Sequence, residues 1–259
     1  MRRESSAGEH MRVKYLYRYP VKGLSPEPIE EAQLTTDGYF PCDRLFALEN
    51  GRSGFDPAAP VHQPKIKFLM LMRNAALAGL STRYDVKTDM LTLMQGSAIA
   101  ARGDLRRAEG RAAIEIFMTQ FLGEEIRGPV RLLEAPDNFR FTDSKSGFVS
   151  LLNLASVEAI AKAEGRPVDP LRFRANIYLE GLEPWAETAL VGKTLTIGEA
   201  RLEILKMTDR CAATGVEPGT GERDMDLVQT LRKNFGHIDC GVYARIVQGG
   251  RIARGDSCR

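Results

Sequence analysis

Apolar runs in this chain are short and are cut at close intervals by proline and glycine, and that punctuation limits the fold more than any other feature. With 24 glycines and 13 prolines in 259 residues, strands of about four to eight residues joined by turns fit the spacing better than long helices. Between Val13 and Leu93 the runs VKYLYRYPVKGL, IEEAQLT and RLFALEN are interrupted by Pro20, Pro26, Pro28, Gly38 and Gly51, which predicts a small β unit. STRYDVKTDMLTLMQ predicts a hairpin. PKIKFLMLMRNAALAGL has Pro64 at a first-turn position and predicts a helix. AEGRAAIEIFMTQFLG predicts another, ended by Gly123, with Ala113, Ile116, Phe117, Gln120 and Phe121 on one side.

Gly123 and RGPV mark a boundary near residue 125. Beyond it, VRLLEA reads as a strand and PDNFRFTDSKSG as an exposed loop of the kind that borders sites. NLASVEAIAKAEG is a helix capped by Asn153 and followed by Gly165. RFRANIYLEG, KTLTIGEARLEILKM, CGVYARIVQGG and RIARGD are strand-like, with MDLVQTLRKNFG a short amphipathic helix among them. The expected fold is α+β and β-rich: a closed or nearly closed barrel, a smaller N-terminal β domain and a few peripheral helices. The expected division is 1–10 as a leader or disordered start, 11–124 as the N-terminal β domain with a helical insertion, and 125–259 as the barrel domain.

A hydrophobic fraction of 43% supplies a sizeable core, and a formal charge of +2 gives no bulk field for nucleic acid. No run approaches the roughly 18 apolar residues of a membrane span, and the charged start MRRESSAGEHMRV is unlike a signal peptide. A cytoplasmic protein with neither membrane nor nucleic-acid partner is expected. Cys42, Cys211, Cys240 and Cys258 show no CxxC spacing, which argues against a disulfide framework, a zinc ribbon or a cysteine-ligated cluster. GxxxxGK[ST], GxSxG and HExxH are absent, as is a strand-coupled GxGxxG, and His10, His62 and His237 are too few for a multi-histidine metal site.

Cys211 stands out by its neighbours. Arg210 precedes it, Thr208 and Asp209 stand before that, and the turn-rich ATGVEPGTGERD follows. An adjacent cation favours thiolate, the form that binds metals or attacks electrophiles. A lone cysteine at a strand end is by itself more often a packing residue.

PVKGL, CDRLFAL, RFRANI, DRCAATGVEPGTGE and GVYARIVQGGRIARGD, in that order, together resemble the MOSC family with its N-terminal β-barrel domain, which includes the amidoxime-reducing enzymes. The resemblance spans about Val13 to Asp256 and is weakest over residues 65–125. It implies a pyranopterin molybdenum cofactor whose metal is held by dithiolene sulfurs and one protein cysteine, for which Cys211 stands in the matching place. A soft thiolate suits a sulfur-rich metal, and the pterin's phosphate calls for cationic and N–H donors.

By the same resemblance, Lys22, Arg44, Arg174 and Asn176 hold the cofactor, with the last two at i and i+2 on one strand face. Arg172 shares that face, as a cofactor contact or as an ion-pair residue. Asn153, Arg210 and Thr214 are expected to contact the cofactor, and Asp209 to flank the metal cysteine as a catalytic group. Two positions depart from the relatives: Gly23 and Asp209 stand where serine is usual. Cys42 and Cys240 read as buried packing thiols and Cys258 as incidental.

The implied activity is oxygen-atom removal from N-hydroxylated or N-oxide small molecules, with electrons from a separate donor protein, since the chain ends soon after RIARGD without closely spaced cysteines. The alternatives are a cofactor or persulfide sulfur carrier acting through Cys211, and an interaction module that binds neither.

Overall fold

The structure is a computed structural model that describes residues 11–146 and 148–259; the leader reading of 1–10 lies outside the described residues. Fourteen strands and three α-helices occur among them. In chain order they are β1 (Arg12–Arg18), β2 (Glu27–Ile29), β3 (Glu31–Leu34), β4 (Phe46–Leu48), β5 (Leu80–Asp85), β6 (Met90–Gln95), β7 (Ala98–Asp104), α1 (Ala108–Leu122), β8 (Leu132–Glu134), β9 (Val149–Asn153), α2 (Leu154–Glu164), β10 (Ile177–Glu180), β11 (Thr194–Ile197), β12 (Ala200–Asp209), α3 (Leu227–Phe235), β13 (Asp239–Gln248) and β14 (Gly250–Ala253).

Seven strands form the main sheet in the order β11-β12-β13-β9-β10-β1-β2, antiparallel except where β9 and β10 run parallel. Alternation drives its assembly: Ala200, Leu202 and Ile204 of β12 turn inward to meet Val242, Ala244 and Ile246 of β13, Val149 and Leu151 of β9, and Val13 and Leu16 of β1. Ser257 bridges to Arg12 of β1 and Cys258 to Ile197 of β11. The C-terminal segment therefore spans from one edge strand to the far side of the sheet and curls it into the half of a barrel. Cys258, read from sequence as incidental, is fully buried in that inner core, and burial pushes its thiol up to about 12. On the outer face, α2 and α3 cover Leu152, Tyr178 and Cys240.

β1 and β2 are early in the chain yet complete the main sheet, and β3 pairs with β14. Residues 11–34 are thus built into the later half of the molecule. β4, β5, β6, β7, β8 and α1 enclose a second core around Leu48, Leu77, Leu91, Ile114 and Met118. No helix among the described residues is long and apolar enough to cross a membrane.

Two local expectations fail for physical reasons. The helix expected over PKIKFLMLMRNAALAGL is two 3-10 turns, Lys65–Lys67 and Ala75–Gly79. From Phe68 to Met70 the chain is extended, because Leu69 donates to the carbonyl of Leu48 and Phe68 bridges to Glu49, and a turn at residues 71–73 follows; pairing with the end of β4 overrides helical spacing. In α1 the buried stripe is Ile114, Met118 and Leu122, and Ile116 is 58% exposed. Gly110 sets that rotation: it touches the backbone of Gly103 and Asp104, and a Cβ placed there would lie 2.1 Å from the Asp104 carbonyl oxygen. The buried residues follow Gly110 at intervals of four, so one close backbone contact selects the helix face.

Gly110→Ala should therefore reduce stability in urea unfolding by about 3 kcal/mol, as expected for a buried steric overlap. Gly96→Ala, where φ is +59° but a Cβ meets nothing within 4 Å, should lose about 1 kcal/mol from the backbone alone. Equal losses for the two would refute the contact as the determinant.

Candidate functional site

β12 ends at Asp209, and there the chain turns into a cavity of about 690 Å³ lined by Cys211 and by parts of the N-terminal segment, the loop before β9 and the segment before β10. Its position is fixed by Arg210. The Arg210 backbone N–H donates to the Ile238 carbonyl. Its Nε and Nη2 donate to the carbonyl of Cys240, and Nη1 donates to that of Phe173 at 2.8 Å. One buried guanidinium thus ties β12, β13 and the Pro170–Phe173 turn together. Arg210 also lines the cavity: three of its five donors are taken by carbonyls, and its charge has no carboxylate partner among the described residues.

Cys211 has extended backbone and opens a 3-10 turn, Ala212–Gly215. Thr214 closes that turn by donating both its N–H and its Oγ1 to the Cys211 carbonyl, at 3.0 and 2.9 Å. The next anchor is Arg172, 4% exposed. Its Nη1 donates to the Thr214 carbonyl and its Nη2 pairs with Asp224 at 2.8 Å. Of the two readings of Arg172, the ion pair is what the structure holds. Its Nε lines up with no partner among the described residues.

RFRANI is not a strand up to Asn176, as the i, i+2 reading required. A 3-10 turn covers Pro170–Phe173, Arg174 takes left-handed φ of +54°, and β10 begins at Ile177. Arg44 is also left-handed, at +49°. Strained backbone of this kind costs about 1 kcal/mol per residue and persists where its surroundings enforce it. The two guanidiniums lie against the Tyr19 ring, each 4.3 Å from its centroid. Arg44 is held by Asp43 at 2.6 Å and donates to the Arg174 carbonyl at 3.0 Å. The Arg174 guanidinium has no hydrogen-bond or ion-pair partner among the described residues, although the backbone N–H donates to the Leu171 carbonyl. Burial, with the Arg44 charge beside it, lowers its guanidinium to about 10.

Lys22 donates to the Phe141 carbonyl at 2.9 Å and pairs with Asp143. Burial lowers the Lys22 ammonium, and Asp143 opposes that in part. Asn176 lines the cavity, yet its Oδ1 accepts from Ser150 and its Nδ2 donates to the Tyr17 carbonyl, so much of its amide joins β1 to β9. Asn153, expected to contact the cofactor, is not among the residues that line the cavity. Its Oδ1 caps α2 through Ala155, and its Nδ2 donates to Glu187 and to the Glu183 carbonyl. Asp209 lines the cavity without an ion-pair partner among the described residues.

Sequence reasoning assigned no role to Asp43, Asp143, Tyr19 or His62. Thr208 was noticed only as a neighbour; it lies past the irregularity in β12 between Ile204 and Lys206, and its Oγ1 is buried and unpartnered among the described residues. The other pairings come from loops that no spacing connects.

Eight lysine and arginine side chains line the cavity against three aspartates, in a chain whose total formal charge is +2. Asp43 and Asp143 are already paired. The remaining surplus, the unpartnered Arg172 Nε and Thr208 Oγ1, and the free guanidinium of Arg174 fit an anionic, hydrogen-bond-accepting ligand. Cys211 adds a half-buried thiol. Cys240, by contrast, is sealed, with burial pushing it up to about 12. Among the described residues no three His, Cys, Asp or Glu side chains converge, so a metal at Cys211 needs most of its ligands from a non-protein group. The donor set therefore fits a metal carried by an anionic organic chelate.

The MOSC domain family matches residues 138–259 and the MOSC N-terminal beta barrel domain matches residues 10–128. The molybdenum cofactor sulfurase of Caenorhabditis elegans is 35% identical over 112 residues, covering 40% of this chain and 16% of that protein. That of Danio rerio is 25% identical over 91% of this chain and 32% of its own length. Mitochondrial amidoxime-reducing component 1 of Homo sapiens is 26% identical, covering 81% of this chain and 67% of that protein. The chain thus spans a third or less of either sulfurase.

The Lys22–Asp143 pair gives a pH test of the wall. Burial pushes the Asp143 carboxyl up, but the Lys22 charge and hydrogen bond outweigh it, so the net value lies below the ordinary carboxylate range. A depressed carboxyl stabilises the fold fully above its unfolded value of about 3.9 and loses that contribution as pH falls through the folded value. Asp143→Asn should lower the melting temperature at pH 7 and make its decline below about pH 4 shallower than in wild type. Parallel acid profiles would show that the pair contributes nothing.

Proposed function

We propose that this chain, a member of the MOSC family carrying an N-terminal MOSC β-barrel domain, holds a molybdenum cofactor through Cys211 and removes oxygen from N-hydroxylated or N-oxide compounds. The observation that carries the reading is the half-buried Cys211 thiol opening into a cavity with a surplus of unpaired cations. Such a cofactor, when bound, supplies the two-electron redox couple for oxygen-atom transfer. Its relatives include both an amidoxime-reducing component and molybdenum cofactor sulfurases, so sulfur carriage through Cys211 is the second reading.

The chain's own residues then have separable tasks. Cys211 Sγ is the protein's ligand to the metal. Arg174, Arg44 and the Lys22–Asp143 pair hold the anionic and pterin portions, with Arg172 Nε and Thr208 Oγ1 as further donors. Arg210 and Thr214 fix the direction of the thiol. The overall reduction consumes two protons and two electrons and releases water. Asp209 takes the proton-relay role in this reading, supported by its being the cavity carboxylate without an ion-pair partner among the described residues. The electrons come from a separate donor protein, and the expected setting is the cytoplasm.

Wild type purified from a molybdenum-competent host should carry molybdenum and pterin in near-equal amounts and reduce an amidoxime. Cys211→Ala should lose at least about a hundredfold in turnover, the scale of removing a group that acts on the reacting centre. Metal-free wild type with one reductant-removable extra sulfur on the Cys211 peptide, seen by intact mass, would contradict the reductase reading and support the sulfur-carrier one.

A further inference from the structure

The mouth of the cavity carries three lysines that none of these tasks employs, each from a different segment: Lys65 in the Lys65–Lys67 turn, Lys145 in the loop before β9, and Lys206 on β12. None of them forms an ion pair with a described residue, although Lys206 Nζ lies 5.6 Å from the centroid of the Tyr243 ring. Several exposed cations away from the cavity do pair, as Arg12 with Glu180, Arg245 with Glu203, Arg251 with Glu31 and Arg254 with Glu30. Beside Lys65, His62 has a buried Nε2 with no partner among the described residues, and it too lines the cavity. Among the described residues, Asp209 is the one lining carboxylate without an ion-pair partner.

A concave opening lined by like charges concentrates ligands of the opposite sign and raises their encounter rate. Three cations from separate segments lining one concave cavity also suit a compact anion better than a broad protein face. We propose that the mouth selects small substrates bearing a carboxylate or phosphate group, gripped by Lys65, Lys145 and Lys206 while the N–O end reaches toward Cys211. The inference rests on the reductase reading for the identity of that reactive end, and on the charge geometry alone for the anionic one.

The test is equilibrium binding to the protein as purified, without reductant, of three para-substituted benzamidoximes carrying a carboxylate, a phosphonate or an uncharged carboxamide. The anionic pair should bind at least about tenfold more tightly than the carboxamide, a preference that shrinks in about 0.5 M salt. The triple variant Lys65→Ala, Lys145→Ala, Lys206→Ala should bring the ratio close to one; with these side chains at the surface its melting temperature should stay near that of wild type. A single Lys206→Gln variant should lower the ratio in part. Equal affinities for all three compounds in wild type, or a preference that survives in the triple variant, would overturn the proposal. An acidic donor protein that binds the mouth while the small anions show no preference would overturn it too. Anion preference without any N–O reduction would instead leave this inference standing and remove the reductase reading.

Discussion

The site depends on one buried guanidinium. Arg210 donates to carbonyls on β13 and on the Pro170–Phe173 turn, while its own backbone continues β12 into Cys211. Those carbonyls belong to segments far apart in sequence, and without a cation between them they would be buried acceptors facing one another. Gly241 makes the approach feasible: with φ of +81° it leaves room for the Leu151 carbonyl and the Arg210 side chain, where a Cβ would lie 2.4 and 3.2 Å from them. The direction of the Cys211 thiol is thus a consequence of sheet closure. It does not rest on any contact the thiol makes itself.

The same arrangement explains why the cavity is electrically unbalanced. Among the described residues, Arg210 has carbonyl acceptors for three of its donors but no carboxylate, the Arg174 guanidinium has neither, and Arg44 and Lys22 are balanced by one aspartate each. Gathering cations in a partly buried space opposes folding, as the lowered Arg174 and Lys22 values register. An anionic ligand that binds the folded chain alone relieves that opposition and adds stability by mass action. A wall that opposes its own folding unless an anion is present is a feature of a binding site, and a packing core has no use for it.

Much of the fold was legible because strands bury alternate residues and helices announce their ends. The hairpin β5–β6, the capped helix α2 with Asn153 and Gly165, and the run from β10 to β14 follow from pattern and turn chemistry. What was not legible depended on partners remote in sequence. The PKIKFLM segment reads as helical until β4 offers it hydrogen bonds, and the face of α1 turns on Gly110 meeting β7. At the site, the position of Cys211, Arg44 and Lys22 on one cavity agreed with the motifs. The motifs could not say that Arg172, Arg210 and Asn176 would engage protein partners, that Arg174 would sit in a left-handed turn, or that Asn153 would face Glu187. Residue type announces a donor, and only topology decides which acceptor reaches it first.

The central claim is that Cys211 is bonded to a molybdenum ion whose organic partner lies among the cavity's cations. Diffraction from crystals of protein produced in a molybdenum-competent host, recorded on both sides of the molybdenum absorption edge, tests it directly. The account predicts one anomalous peak within bonding distance of Cys211 Sγ, with ligand density running toward Arg44 and Arg174. A peak placed away from that sulfur, or a cavity holding no molybdenum signal in protein that otherwise retains the metal, would contradict it.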